Sequence, residues 1–112
     1  MKKINIIKKN EEFQKIIKQQ NKYKNAYYNI YITIKKEKNY RIGISIPTKT
    51  ANAVNRNKIK RQVKNILDKN EFNKELDYII ITNKQILNLT YAEKEKNLVE
   101  LLNKIGEKNE KK

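Results

Sequence analysis

The sequence contains no cysteine and no histidine. Without cysteine the chain can form no disulfide, no thiolate nucleophile and no Cys-ligated zinc site. Such a chain suits a reducing compartment, so we expect a cytoplasmic protein. Without histidine it also lacks the most common general base and the most common metal ligand. Together the two absences argue against a catalytic site built from this chain alone.

Glycine, proline and long apolar runs are also scarce. The only glycines are Gly43 and Gly106, whereas a phosphate-cradling loop needs several glycines close together. The apolar run near the N-terminus stops after Ile6 and Ile7, so we expect neither a signal peptide nor a membrane span. A chain of 112 residues with 38% hydrophobic residues predicts one thin two-layer domain over residues 1–105 and a disordered tail over residues 106–112.

Acidic residues are few, at 12 against 27 lysines and arginines, which gives a net charge of +15. A general drift towards lysine-rich composition is one explanation, but it should enrich glutamate as well. The surplus therefore indicates a polyanionic partner, more often nucleic acid than an anionic membrane. No pair of acids lies at a predicted strand end beside the basic surface, so we predict no metal ion or cofactor bound by the protein.

The positive charge is concentrated in residues 38–67, which hold eight lysines or arginines and no acid. All three arginines of the chain, Arg41, Arg56 and Arg61, lie in this stretch. The planar, forked donors of arginine suit phosphate groups and base edges better than an ammonium group does. The stretch is therefore the first candidate for a nucleic-acid-binding surface.

The centre of that stretch predicts an amphipathic helix from about residue 52 to Asp68. Apolar residues recur at i, i+4, i+7 and i+8, namely Ile59, Val63, Ile66 and Leu67, and the cations fan over the opposite side. A purely solvated face is the alternative explanation. Solvated helices normally mix charge signs to gain i,i+4 pairs, and this one does not, so we infer an anionic partner.

The remaining pattern predicts the order helix, strand, strand, helix, strand, helix, which is typical of a two-layer α+β fold. Alternation of apolar and polar residues predicts a hairpin of two strands, residues 27–34 and 40–46, around a polar turn at 35–39. A nearly continuous apolar run at 77–82 predicts a central strand, followed by a loop over 83–89. The first helix is predicted from Asn10 to about residue 20, and the last from a capping box at Thr90 to a stop at Gly106.

The polar face of the predicted hairpin carries Tyr31 and Arg41. An aromatic ring beside a cation can stack on and neutralise a flexible single strand of nucleic acid. The alternative is a solvated outer face on which Tyr31 only covers the sheet. From these residues alone both interpretations stay open.

Three blocks of sequence resemble the protein component of bacterial ribonuclease P. The most specific is R-I-G-I-S-I-P-T-K-T-A-N-A-V-N-R-N-K-I-K-R at residues 41–61. The others are I-I-K-K-N-E-E-F-Q-K-I-I-K at 6–18, and D-Y-I-I-I at 77–81 with L-T-Y-A-E at 89–93. The resemblance extends over residues 6–105.

The resemblance implies a protein that assists a catalytic RNA. The RNA subunit, with its own Mg²⁺ ions, would remove the 5′ leader of precursor tRNA, and the protein would supply no catalytic residue. The implied partners are ribonuclease P RNA and precursor tRNA, with neither DNA nor a membrane. The implied fold has a mainly antiparallel four-stranded sheet packed by helices, a possible extra short strand and a left-handed βαβ crossover, as in the second domain of ribosomal protein S5.

The resemblance also implies two binding surfaces. The surface for the RNA subunit would consist of Lys49, Arg56, Asn57, Lys58, Lys60, Arg61 and Lys64. The cleft for the leader would lie between the first helix and the sheet and would consist of Phe13, Ile17, Tyr31 and Arg41.

The sequence departs from the family pattern at three positions. Lys58 stands for an arginine, Thr48 for a lysine and Ile17 for an aromatic residue. The alternative function is a structural ribosomal protein or a general RNA-binding module with no role in cleavage. A DNA-binding regulator is disfavoured because no helix-turn-helix spacing is present.

Overall fold

A computed structural model of the protein describes residues 6–7, 10–19, 21–34, 40–72 and 76–108. These residues form helices and strands in the predicted α+β order, with one additional short strand and with a 3-10 helix in place of the loop predicted over 83–89. The elements are α1 (Asn10–Lys18), β1 (Lys22–Lys24), β2 (Tyr28–Ile34), β3 (Arg41–Ser45), α2 (Ala53–Lys69), β4 (Leu76–Thr82), a 3-10 helix (Lys84–Asn88) and α3 (Tyr91–Lys108). The predicted turn at 35–39 lies outside the described residues.

The four strands form one mixed sheet in the order β1-β2-β4-β3. β1 and β2 are antiparallel, β2 and β4 are antiparallel, and β3 and β4 are parallel. The predicted hairpin between β2 and β3 is therefore wrong, because β4 lies between them. Alternation of apolar and polar residues shows which side chains of a strand share a face, but it does not show which other strand lies beside that strand.

β4 is the central strand, as its apolar sequence predicts. Six of its seven residues are buried, because helices cover both faces of the sheet. Ile80 points to one face and Ile79 to the other, and both are completely buried. A strand covered on both faces needs a nearly continuous apolar run, which is what Tyr78 to Ile81 supply.

α2 and α3 cover the first face of the sheet and form the main core with it. The four predicted apolar residues of α2 are all buried. They pack with Ile30 of β2, Ile80 of β4 and the buried face of α3 around Leu98. α2 connects the parallel neighbours β3 and β4, so β3, α2 and β4 form the expected βαβ unit; its left hand stays a prediction.

α1 covers the second face, so helices lie on both faces of the sheet and not in the single layer predicted. The packing of α1 there is close at Gly43 of β3. Ile16 of α1 packs with Ile79 and Ile7, and Phe13 lies at the edge of this small cluster. A Cβ atom on Gly43 would lie 2.5 Å from Cζ of Phe13 and 2.8 Å from Cδ1 of Ile79. Gly43 therefore allows the aromatic ring of α1 to approach the sheet closely.

The segment before α1 touches the free edge of β3. Ile6 forms a parallel bridge with Ile42, and the amide of Ile7 donates to the carbonyl of Ile42 at 2.9 Å. The side chain of Ile7 is buried against α1. This part of the predicted extended lead-in is therefore attached to the sheet.

The ends of α3 show one confirmed prediction and one error. The amide of Thr90 donates to Oε1 of Glu93 at 2.9 Å, and the amide of Glu93 donates to Oγ1 of Thr90 at 3.2 Å, which confirms the capping box. The hydrogen bond from the Thr90 amide to the Glu93 carboxylate lowers the pKa of that carboxyl, and the Thr90 side chain lowers it further. The predicted stop at Gly106 is wrong, because α3 continues to Lys108. Residues 109–112 of the predicted tail lie outside the described residues.

Replacement of the two glycines should have opposite effects on stability. We expect Gly43→Ala to lower the free energy of unfolding by about 1–3 kcal/mol, because the added methyl group collides with Phe13 and Ile79. Gly106→Ala is the matched control, since nothing lies within 4 Å of its Cβ position, and it should stabilise α3 by about 0.5 kcal/mol. Urea titrations of both variants measure the difference; equal effects would show that Phe13 moves aside freely.

Candidate RNA-binding surfaces

α2 begins at a cap that leaves its N-terminus positively polarised. Oδ1 of Asn52 accepts a hydrogen bond from the amide of Asn55 at 2.9 Å, as expected of an N-cap. The first turn contains no acidic residue to offset the positive end of the helix dipole. Lys49 is exposed in the turn just before the cap, so its charge adds to the field there.

The predicted RNA-binding residues of α2 form two rows. The outer row, Asn57, Lys58 and Arg61, is exposed to solvent. The inner row, Arg56, Lys60 and Lys64, is spaced four residues apart and is half-buried along the flank of the helix. The sequence predicted one cationic face, whereas the structure divides it into two surfaces with different surroundings.

The inner row borders an open groove. Lys60 and Lys64 line this groove, whose volume is about 330 Å³, together with Ile42 and Ile44 of β3 and Phe13 of α1. Ile6 and Ile7 complete its lining. The groove therefore combines an apolar floor with two ammonium groups on one wall.

The cations of α2 lack internal counter-charges. Among the described residues, none of the five lysines and arginines in the two rows forms an ion pair. Nε of Arg56 is buried and has no hydrogen-bond partner within the same described part of the chain. A buried donor without a partner is unfavourable, and clustered like charges repel one another, so a bound anion would relieve both.

Three of the four predicted leader-binding residues lie together. Phe13 and Ile17 of α1 and Tyr31 of β2 pack around the small cluster on the second face of the sheet, and all three are half-buried. Nζ of Lys22 lies 5.7 Å from the centre of the Tyr31 ring, which places a cation over its face. Only Phe13 of the predicted four also lines the open groove.

Arg41, the fourth of these residues, is engaged inside the protein. It donates to Oδ2 of Asp77 through Nη2 at 3.0 Å and through Nε at 3.3 Å, and its Nη1 donates to Oε1 of Glu12 at 3.0 Å. The bonds to Asp77 raise the pKa of the guanidinium further. Two carboxylates neutralise the charge of Arg41. Its main role in the structure is therefore to connect β3 to Glu12 of α1 and to Asp77 of β4.

The sequence analysis missed two sets of residues that the structure adds to these surfaces. Ile42 and Ile44 form the groove floor, although their alternation marked them only as core residues. Lys94 of α3 is buried behind α2 and donates to Oε1 of Gln62 at 2.8 Å. The charge pattern of α3 mixes signs and therefore gave no signal for it.

Fold and surface together define a small, basic α+β protein of the nucleic-acid-binding class. The family model for ribonuclease P matches residues 1–106. A ribonuclease P protein component from Mycoplasma mobile is 40% identical over 112 residues, covering 99% of this chain and 98% of that protein. A ribonuclease P protein component from Bacillus cereus is 38% identical over 115 residues, and the match covers 100% of both chains.

Solved structures agree with the sequence relatives. A Staphylococcus aureus ribonuclease P protein, a mutant with defective mRNA degradation activity, matches with a TM-score of 0.83 and 33% identity. The match covers 94% of this chain and 90% of that one. The chain belongs to the ribonuclease P protein family, as the sequence motifs predict.

Two further structural observations concern membranes and metal ions. No helix in the described part of the chain is long and apolar enough to cross a membrane. Within residues 6–7, 10–19, 21–34, 40–72 and 76–108, no three Asp or Glu side chains come together as a candidate metal site.

The two carboxylates that bind Arg41 should differ in their contribution to stability. The Asp77 side chain is 4% exposed, and that of Glu12 is 37% exposed. We expect Asp77→Asn to lower the free energy of unfolding by about 2–3 kcal/mol, because it leaves a partly buried guanidinium without its main counter-charge. Glu12→Gln removes one negative charge from the more exposed Arg41–Glu12 pair, so it should lower the free energy of unfolding by less than about 1 kcal/mol. Chemical denaturation compares the variants, and equal losses would contradict a dominant role for Asp77.

Proposed function

We propose that this protein binds a catalytic ribonuclease P RNA through α2 and holds the 5′ leader of precursor tRNA beside α1. The RNA subunit then removes the leader and leaves the mature 5′ end of the tRNA. The observation that carries the proposal is the acid-free, two-row cationic surface of α2 next to a groove with an apolar floor. In this proposal the protein acts in the cytoplasm, as the absence of cysteine predicts.

The outer row and the N-terminus of α2 would bind the RNA subunit. Arg61 can donate two parallel hydrogen bonds to one phosphate, while Lys58 acts as a point charge. Asn57 lies beside them and can both donate and accept. Because these side chains are already exposed on a helix anchored by its apolar underside, binding requires no rearrangement of the fold.

In this proposal the RNA subunit would hold the Mg²⁺ ions, whose chemistry there would be to activate a water molecule and to stabilise the charge that develops during phosphodiester hydrolysis. The protein's surface is suited to phosphate and not to the metal. The sequence from Ala53 to Leu67 contains no carboxylate, which is the ligand type that Mg²⁺ prefers in proteins. The contribution of the protein is to bind and orient RNA.

The leader would extend from the region of Tyr31 past Phe13 into the groove. Aromatic and apolar side chains accept a base of any identity, because every base has a flat apolar face. Lys60 and Lys64 lie where they can neutralise phosphates of the same strand. This arrangement favours a single strand over a duplex and predicts weak dependence on leader sequence.

The alternative function, a structural ribosomal protein or a general RNA-binding module, is not favoured by the family membership. One reconstitution separates the two. Purified protein added to a bacterial ribonuclease P RNA at low Mg²⁺ should restore cleavage of precursor tRNA at the mature 5′ end. A general RNA-binding module would bind RNA without restoring cleavage.

Loss of one outer-row arginine should reduce assembly with the RNA subunit. We expect Arg61→Ala to weaken binding about 10- to 150-fold, since a charge-assisted contact to phosphate contributes roughly 1.5–3 kcal/mol. The fold should remain intact because Arg61 is exposed. Lys104→Ala on the exposed side of α3 is the matched control and should bind almost normally. Unfolding of Arg61→Ala would show a structural role instead.

Leader binding can be tested on both sides of Phe13. We expect Tyr31→Leu, which keeps apolar bulk in the cluster, and Lys60→Met, which removes one charge from the groove, each to weaken binding of precursor tRNA several-fold. Binding of mature tRNA should change little, because it has no leader to contact either residue. Affinities of the reconstituted complex for the two tRNAs provide the measurement. Equal losses for precursor and mature tRNA would rule out the proposed path.

A further inference from the structure

A lysine of α3 is buried against the flank of α2 that faces away from the groove. Lys94 is only 8% exposed, and its Nζ donates to Oε1 of Gln62 at 2.8 Å. An ammonium group has three donors, and Gln62 is the only acceptor that it has within the described residues. The burial of a charge with so few partners is unfavourable unless another charged group completes the site.

A second cation lies next to this lysine. Lys58 is exposed on α2 one turn before Gln62, so the two side chains are neighbours on the helix surface. Burial lowers the pKa of Lys94, and the positive charge of Lys58 lowers it further. Because Lys94 binds Gln62 and Lys58 shares the same flank of α2 with Gln62, the three side chains are neighbours.

The neighbouring acids of α3 are engaged elsewhere. Glu93 is held by the capping box with Thr90. Glu95 lies 3.2 Å from Nζ of Lys69 and accepts from Nδ2 of Asn70 at 2.9 Å. Among the described residues, Lys94 forms no ion pair with a carboxylate. The cluster thus has an excess of two positive charges with no internal neutralisation.

We propose that Lys58, Gln62 and Lys94 form a binding site for one phosphate group of the RNA subunit. The proposal rests on the proposed function and extends the RNA-binding surface from α2 onto α3. Because Oε1 of Gln62 accepts from Lys94, its Nε2 group keeps two donors for the phosphate. Lys94 supplies a fixed charge at the base of the site, and Lys58 closes over it from the solvent side.

Phosphate fits this site better than a protein carboxylate does. The three neighbouring side chains offer several donors and two positive charges, which suits a tetrahedral anion with several acceptor oxygens. The site also adjoins the outer row of α2, so an RNA bound there passes beside it. Lysine instead of arginine at position 58 suits this arrangement, since an ammonium group acts as a point charge without the fixed planar geometry of a guanidinium.

Salt dependence of RNA binding tests the proposal. The slope of log affinity against log salt falls by about 0.7–0.9 for each phosphate contact that is lost. We expect Lys94→Met to reduce the slope of binding to ribonuclease P RNA by this amount and to weaken binding about tenfold. Lys96→Met, which removes an exposed charge two residues away on α3, is the matched control and should change the slope much less. Equal slopes for the two variants would overturn the site.

A second variant separates phosphate binding from a structural role of Lys94. Gln62→Glu places a carboxylate beside Lys94, so it should stabilise the free protein and compete with the phosphate. We expect it to weaken RNA binding several-fold more than Gln85→Glu, an equal change of charge at an exposed position of the 3-10 helix. If Gln62→Glu raises the melting temperature but binds RNA as well as Gln85→Glu does, Lys94 is only structural and the proposal fails.

Failure of this site and failure of the proposed function give different results. A wild-type protein that does not bind or activate ribonuclease P RNA would contradict the proposed function. A wild-type protein that restores cleavage, combined with a Lys94→Met variant that has the same affinity and slope as Lys96→Met, would contradict only the phosphate site. Lys94→Met should retain the fold, because methionine fills the space of the lysine stem without a buried charge.

Discussion

The structure depends on the burial of β4 from both sides. Ile80 packs under α2 and α3, and Ile79 packs under α1. Because β4 is central, β3 pairs with it in parallel and α2 must cross over the sheet between the two strands. The same strand provides Asp77, which holds Arg41 and thereby fixes the start of β3. Both candidate RNA-binding surfaces therefore rest on the neighbours of one apolar strand.

The basic surface is stable because charge and burial are separated on one helix. α2 places four apolar residues in the core, and this burial offsets the repulsion between cations on its other side. The half-buried inner row borders the groove, while the exposed outer row faces solvent. One helix thus presents two candidate surfaces for RNA, and the proposed site at Lys94 adds a third on its far flank.

Particular residues show how far sequence reasoning extended. The apolar period of α2 predicted its buried face and its limits to within one or two residues, and the apolar run at 77–82 predicted a central strand. The predicted hairpin is wrong because apolar and polar residues alternate along β2 and β3 in the same way whether these strands pair with each other or with β4. Gly106 did not end α3, since a glycine can continue a helix at a modest cost. For the candidate site, the resemblance predicted residues of both surfaces but neither their division into two rows nor the groove residues Ile42 and Ile44.

The sequence by itself determined the family, the order of the elements and the cationic helix, because these follow from local periodicity, composition and a specific motif. Only the tertiary structure decided the strand order, the engagement of Arg41 by Asp77 and Glu12, and the position of Lys94 beside Lys58. Those features join residues far apart in the chain, since Asp77 follows Arg41 by 36 positions and Lys94 follows Gln62 by 32. Contacts of that range depend on how helices and strands pack, and no local pattern encodes them.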